Sequence, residues 1–318
     1  MTPPLDPGLP KVVALGGGHG LAASLRALRR VTSDLTAVVT VADDGGSSGR
    51  LREQFDILPP GDLRMALSAL CGDDKEGRMW ADVLQSRFGG DGPLAGHAIG
   101  NLLIAGIWER LGDPVAGLDM VAKLLGAQGR VLPMAAVPLD IEADVLGIDP
   151  AQPDELTLVR GQARVAKCPG VVRHVRLRPD APPACPETLE AVRAADHVVL
   201  GPGSWFTSVL VHLLVPELAE AIVDTPARRI LTMNLASADE TDGFTASAHL
   251  EALAEHAPRL RLDTIVIDPT YAAGDQHLAT YAASLGAELV IAPVRARDGA
   301  PRHDVNRLAG VYADLMGR

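Results

Sequence analysis

Apolar positions along the chain follow two rhythms. Short apolar stretches at 12–15, 37–41, 196–200, 228–233, 262–267 and 288–291 are of the kind buried on both faces of a parallel sheet. Between them come segments with helical spacing. Leu21, Leu25 and Leu28 share one helix face, and further helices are expected at 63–70, around 79–88, up to about 111, and at 187–195, 209–214, 245–256 and onward from Val305. This alternation predicts an α/β fold: a Rossmann-like, doubly wound, mostly parallel sheet in three layers. The helical spacing fails between 126 and 178. There, β-rich runs at 131–138, 156–159, 163–166 and 171–177 alternate with turns, one of them at Gly161-Gln162. A β-rich, antiparallel insertion is expected within a single domain spanning 11–318. Residues 1–10 (MTPPLDPGLP) are expected to be a disordered lead-in, with none of the basic and apolar regions of a signal peptide. No run approaches the ~18 apolar residues of a membrane span, so no membrane insertion is expected.

The strand ends carry the candidate chemistry. The first run ends in Gly16, Gly17, Gly18, His19 and Gly20; the second ends in Asp43, Asp44, Gly45, Gly46, Ser47, Ser48, Gly49 and Arg50. Both read as glycine loops at the carboxyl ends of neighbouring parallel strands, where open α/β sheets bind ligands. Glycines let backbone N–H groups approach an anion, and a helix N-terminus adds favourable partial charge. Ser47, Ser48 and Arg50 add donors, and Asp43 and Asp44 suit ribose hydroxyls or a hydrated Mg²⁺. Leu21 stands where the third glycine of a dinucleotide fingerprint belongs, and no P-loop lysine follows. Asp62 is placed either to cap the helix from Leu63 or to face the ligand. His97 and Asn101, four apart on an apolar helix, form a core network or one wall of a cleft. Gly201, Pro202, Gly203 and Ser204, followed by Thr207 and Ser208, suit an anion cradle better than a nucleophile elbow, since G-x-S-x-G is absent. The 295–304 loop, with Arg295, Arg297 and Arg302, is either an anion site or a solvated surface loop.

Composition narrows the function classes. The chain has 318 residues, a net charge of −11 and an aromatic content of 3%, which argue against broad nucleic-acid binding and against a base-stacking platform. Hydrophobic residues make up 47%, enough for a large core built from Ala, Val and Leu. Cys71, Cys168 and Cys185 form no C-x-x-C, so neither a disulfide framework nor a zinc site follows, and a cytoplasmic location fits.

Taken together, GGGHG at 16–20, ADDGGSSGRLR at 42–52, PPGDLR at 59–64, GHAIGNLL at 96–103, GPGS-x-x-TS at 201–208, Asn234 and Arg302-His303-Asp304 resemble the YvcK-like gluconeogenesis factor family, a relative of the CofD 2-phospho-L-lactate transferases. The pieces span nearly the whole chain in order. The resemblance implies binding of UDP-N-acetylglucosamine and a cytoplasmic role linking carbon supply to cell-wall synthesis and cell shape. It implies ligand contacts in the two glycine loops and at Asp43, Asn101, Ser204, Asn234, Tyr281 and Arg302, an unidentified regulatory protein partner, and a homodimer as a family-level expectation. The CofD side implies instead a transferase holding a divalent metal on carboxylates, with Asp43, Asp44 and Asp62 as holders. The chain departs from the family pattern at Trp205-Phe206, at Val211-His212, at ASADET (236–241) and at Val305, where a threonine is common. No nucleophile–base pair stands out, which favours a ligand-binding regulator with no obligatory cofactor over an enzyme.

Overall fold

The computed structural model describes residues 8–237 and 239–317. Most of the expected lead-in, residues 1–7, lies outside the described residues; Pro10 is held by its carbonyl, which accepts from Thr32 Oγ1 at 2.6 Å. Among the described residues ten strands form two sheets. β1 (Lys11–Gly16), β2 (Asp34–Val39), β3 (Arg130–Pro133), β7 (His197–Leu200), β8 (Arg228–Thr232), β9 (Thr264–Ile267) and β10 (Glu288–Ile291) make a seven-stranded sheet. Its order is β10-β9-β8-β7-β1-β2-β3, and each neighbouring pair is parallel. Ala14 of β1 sits between Ala37 of β2 and Val199 of β7, all fully buried. Small and β-branched side chains therefore form the centre of the core, as expected for a sheet covered by helices on both faces.

From β1 the chain winds outward through β2 to β3. It then returns to β7, on the other side of β1, and winds the opposite way to β10. The strand order thus reverses between β1 and β7, and such a reversal opens a crevice at the carboxyl ends of the two strands. Helix α1 (Gly18–Leu28) leaves β1 there and buries Leu21, Leu25 and Leu28 as its spacing predicts. Tyr312, on the closing helix Val305–Leu315, is fully buried and bonds Ser24 of α1 at 3.0 Å and Thr232 of β8 at 2.8 Å. Ser24 in turn donates to the Gly201 carbonyl at 3.0 Å.

The insertion is smaller than expected. β3 belongs to the parallel sheet, as its edge strand, so the antiparallel part is β4 (Asp140–Leu146), β5 (Leu156–Arg160) and β6 (Val171–Arg178). Residues 163–166 are not a strand. They lie in a helical turn, Gln162–Val165, because Gly161 adopts φ 97° and the Asp44 carboxylate accepts from Ala163 N at 2.8 Å. On the outer face of this sheet the buried Glu142 meets Arg160 at 2.9 Å and both Arg176 and Arg178 at 3.2 Å. Burial opposes its ionisation, but the three guanidiniums outweigh burial and hold its pKa below the ordinary carboxylate range.

Several helices differ from the periodicity-based reading. The second glycine loop is shorter than expected, because Gly46 already begins helix α2 (Gly46–Phe55). Helix α3 (Pro60–Leu70) starts before Asp62, so Asp62 lies inside its first turn and does not cap it. Helices Pro114–Leu125 and Pro216–Asp224 escaped the reading, each opening on a proline that suits the first helical position. The segment from Trp205 is a wide π turn (Trp205–Val209) followed by a 3₁₀ turn (Leu210–Leu214) rather than a helix from 209. Among the described residues no single helix is long and apolar enough to cross a membrane.

The closest backbone approach at the strand reversal supplies a stability test. A Cβ on Gly20 would stand 2.2 Å from the Pro202 carbonyl oxygen and 2.7 Å from Gly203 Cα. Gly20→Ala is expected to destabilise the fold by ~2 kcal/mol or more, measured by denaturant unfolding; a change under ~0.5 kcal/mol would contradict this packing.

Candidate functional site: a cleft at the strand reversal

A cleft of about 630 Å³ opens between the carboxyl ends of β1, β7 and β8. The first turns of α1 contribute His19, Gly20, Ala23 and Arg26. The turn after β7 contributes Pro202, Gly203, Ser204 and Trp205, and the segment after β8 contributes residues 234–237 and 239–241. Pro301, Arg302, His303 and Val305 close the remaining side.

The turn after β7 is tightly held. Gly201 takes φ 70°, a left-handed conformation that disfavours a side chain. Asn234 grips the Gly203 peptide with both ends of its amide: Oδ1 accepts from Gly203 N at 3.0 Å and Nδ2 donates to Gly203 O at 2.9 Å. Asn234 thus positions the Gly203 loop as well as lining the cleft. Part of the expected anion cradle at 201–208, at Phe206 and Thr207, is filled from within the chain. Glu240 is 3% exposed, and its Oε1 accepts from Phe206 N at 2.8 Å and Thr207 N at 3.4 Å. Burial, only partly offset by these hydrogen bonds, pushes the Glu240 pKa up to about 7. Thr207 is fully buried beside it and does not line the cleft.

The remaining expected contacts divide into groups. Asp43 and Asp62 come together behind the first glycine loop. A Cβ on Gly17 would stand 2.5 Å from Asp62 Oδ2, and one on Gly61 would stand 2.6 Å from Asp43 Oδ2 and 2.4 Å from Ser48 Oγ. Burial and then the Asp43 charge raise the Asp62 pKa to about 7, against an opposing hydrogen bond from Gly18 N. Asp43 also accepts from Gly45 N at 2.9 Å, which shapes the Gly45-Gly46 turn. Gly16 is buried at the end of β1, and Gly18 begins α1 with φ 57°. Asp44 is committed to the insertion through Ala163, which leaves Asp43 and Asp62 as the neighbouring carboxylate pair.

Ser47 is 4% exposed and sits at the centre of a core network, bonding His97 Nδ1 at 3.0 Å and accepting from Asn101 Nδ2 at 3.1 Å. The core-network alternative for His97 and Asn101 therefore describes these side chains, although His97 precedes its helix, Ile99–Leu111. Arg50 donates to the Ala95 carbonyl at 2.9 Å and lies outside the cleft. Tyr281, on helix Leu278–Ser284, donates to Glu251 at 2.6 Å and also lies outside it. In the arginine-rich loop, Arg295 bonds the Leu235 carbonyl and Thr270, Asp304 caps the closing helix, and Arg302 pairs with Asp298 at 2.5 Å while lining the cleft. His303 is held neutral, mainly by burial, with a pKa near 4.

Arg26 and Glu240 are among the cleft residues that escaped sequence reasoning. Arg26 had a detectable signal: with Gly20 and Ala23 it falls at three-residue spacing, on the side of α1 opposite Leu21, Leu25 and Leu28. Glu240 had none, since nothing local says which N–H groups a loop carboxylate will meet.

A parallel, doubly wound sheet with glycine turns and a cleft at its strand reversal defines a Rossmann-like α/β protein. A family model described as 2-phospho-L-lactate transferase CofD matches residues 12–299. The "Putative gluconeogenesis factor" of Mycobacterium tuberculosis is 55% identical over 311 residues, covering 96% of this chain and 90% of that protein. The "Gluconeogenesis factor" of Halalkalibacterium halodurans is 40% identical over 257 residues, covering 80% and 76%. A crystal structure of a UPF0052 family member from Bacillus halodurans superposes with a TM-score of 0.84 at 34% identity, covering 96% of this chain and 99% of that one. The chain belongs to the CofD family, in the branch of the gluconeogenesis factors.

Glu240 gives the site a pH signature. Its folded pKa near 7 lies above that of an ordinary glutamate, so the unfolded chain ionises first. The contribution of Glu240 to stability is complete at low pH and is lost as pH rises through about 7. Gln keeps the accepting oxygen without the charge. Between pH 5 and pH 8, Glu240→Gln is expected to gain about 2 kcal/mol relative to wild type in denaturant melts. Parallel stability profiles would contradict the assignment.

Proposed function

We propose that the protein is a cytoplasmic regulator that binds UDP-N-acetylglucosamine in the cleft at the β1/β7 reversal and links carbon metabolism during gluconeogenic growth to cell-wall synthesis and cell shape. The observation that carries this reading is the cleft itself. It is large enough for a nucleotide sugar, and it joins the first turn of α1, the Gly203–Ser204 turn and Arg302 around one space. The diphosphate would lie against the α1 N-terminus and the Gly203 turn, with Ser204 and Arg302 as further donors. Much of one wall is the 236–241 segment, whose buried anchor is Glu240. A ligand that favours one placement of this segment shifts its population and changes the surface offered to a regulatory protein partner or to a second copy in a homodimer.

A transferase of the CofD type is the second reading, and Asp43 with Asp62 favours it. Two carboxylates packed close together against Gly17 and Gly61 would suit a hydrated Mg²⁺ of the kind held by one or two carboxylates and substrate phosphates. The metal would supply charge stabilisation to a reacting phosphate. Asp62 would release its proton on meeting the cation, and Asp43 would hold the Gly45 turn beside it.

Titration calorimetry with UDP-N-acetylglucosamine separates the two readings. The regulator reading expects micromolar binding without Mg²⁺, intact ligand afterwards, and at least tenfold weaker binding in Arg302→Ala. Absence of binding with or without metal would overturn it. Metal-dependent affinity, with product formation lost in Asp43→Asn while binding is retained, would instead establish the transferase.

A further inference from the structure

Arg26 lies in the cleft wall six residues beyond Gly20 on α1. An α-helix rises about 1.5 Å per residue and tilts its side chains toward its own N-terminus. Arg26 thus stands about 9 Å along the axis from Gly20 and lines the same cleft. The intervening lining residue on α1 is Ala23, and Gly20 itself carries no side chain.

Among the described residues Arg26 makes no hydrogen bond and no ion pair. Its nearest acidic neighbour by charge, Asp73, is already paired with Arg29 and stands 3.6 Å from Arg30. Burial and then repulsion from Arg29 lower the Arg26 pKa. The other arginine lining the cleft, Arg302, carries Asp298 as counter-ion. The two acidic residues of the lining, Asp239 and Glu240, lie on the segment after β8, and Glu240 is spent on Phe206 and Thr207. Arg26 is exposed in the cleft, and a phosphate placed there would give its guanidinium the counter-ion it lacks.

We propose that Arg26 is the phosphate-anchoring cation of this cleft, receiving a diphosphate seated between the first turn of α1 and the Gly203–Ser204 turn. The ligand class is then a nucleoside diphosphate or its sugar conjugate, and neither an uncharged nucleoside nor a free sugar satisfies the site. The assignment rests on the nucleotide-sugar reading and adds to it a residue that discriminates by charge.

The test is calorimetry of wild type, Arg26→Ala and Arg26→Gln against UDP-N-acetylglucosamine, UDP, pyrophosphate and uridine. Arg26→Gln keeps most of the aliphatic stem and carries the comparison should the alanine variant fold poorly. The expected result is at least tenfold weaker binding of each phosphate-bearing ligand in the variants, with uridine binding unaltered. Unchanged affinity for UDP-N-acetylglucosamine in both variants, against a wild type that binds it, overturns the role of Arg26 and leaves the nucleotide-sugar reading standing. A wild type that ignores UDP-N-acetylglucosamine but binds UDP or pyrophosphate in an Arg26-dependent way does the reverse. A wild type that binds none of the phosphate-bearing probes overturns both.

Discussion

The contact of Gly20 with Pro202 sets the geometry from which the site follows. It joins the first turn of α1 to the turn after β7, and a single added methyl group would have no room between them. Because β1 and β7 are neighbours at the point where the strand order reverses, this contact also draws two glycine turns to the same edge of the sheet. The buried chain from Tyr312 through Ser24 to the Gly201 carbonyl ties the closing helix to the same point. The cleft is therefore assembled from segments far apart in the chain but fixed to one another by packing and hydrogen bonds.

Polar side chains near the strand ends divide into those that hold the scaffold and those that remain open to a ligand. Asn234, Glu240, Ser47, Asp44 and Arg295 each satisfy a specific backbone or side-chain group. Buried groups of this kind cost stability when left unpaired, so their pairing supports a rigid site. His19, Ser204 and Arg26 face the cleft, and Arg302 does so with Asp298 as its partner. Asp43 and Asp62 form a separate, partly uncompensated pair behind the glycine loop. This division explains why several residues of one run, such as Asp43, Asp44, Ser47 and Arg50, have different jobs.

The sheet and the strand ends were legible because their signals are local. Continuous apolar runs at β1, β2, β8 and β9 mark buried parallel strands, and glycines mark the turns that follow them. Family resemblance drew attention to Asn234 and Arg302, whose positions in the cleft no spacing rule could supply. What could not be read depends on long-range contacts. β3 is one short strand that reads like its β-rich neighbours, and only its pairing with β2 places it in the main sheet. The Gln162–Val165 turn depends on Asp44, more than a hundred residues away. Ser47 looked like a phosphate donor until helix α2 turned it toward His97 and Asn101.

Hydrogen–deuterium exchange with and without saturating UDP-N-acetylglucosamine tests the central claim most directly, because it reports where a ligand sits without assuming any residue's role. Binding at the strand reversal predicts slowed exchange in peptides covering 17–26, 201–208 and 236–243, with the β4–β6 sheet unchanged. Protection confined to that sheet or to the helices 75–125, with those three segments unaffected, would contradict a ligand site at the β1/β7 reversal.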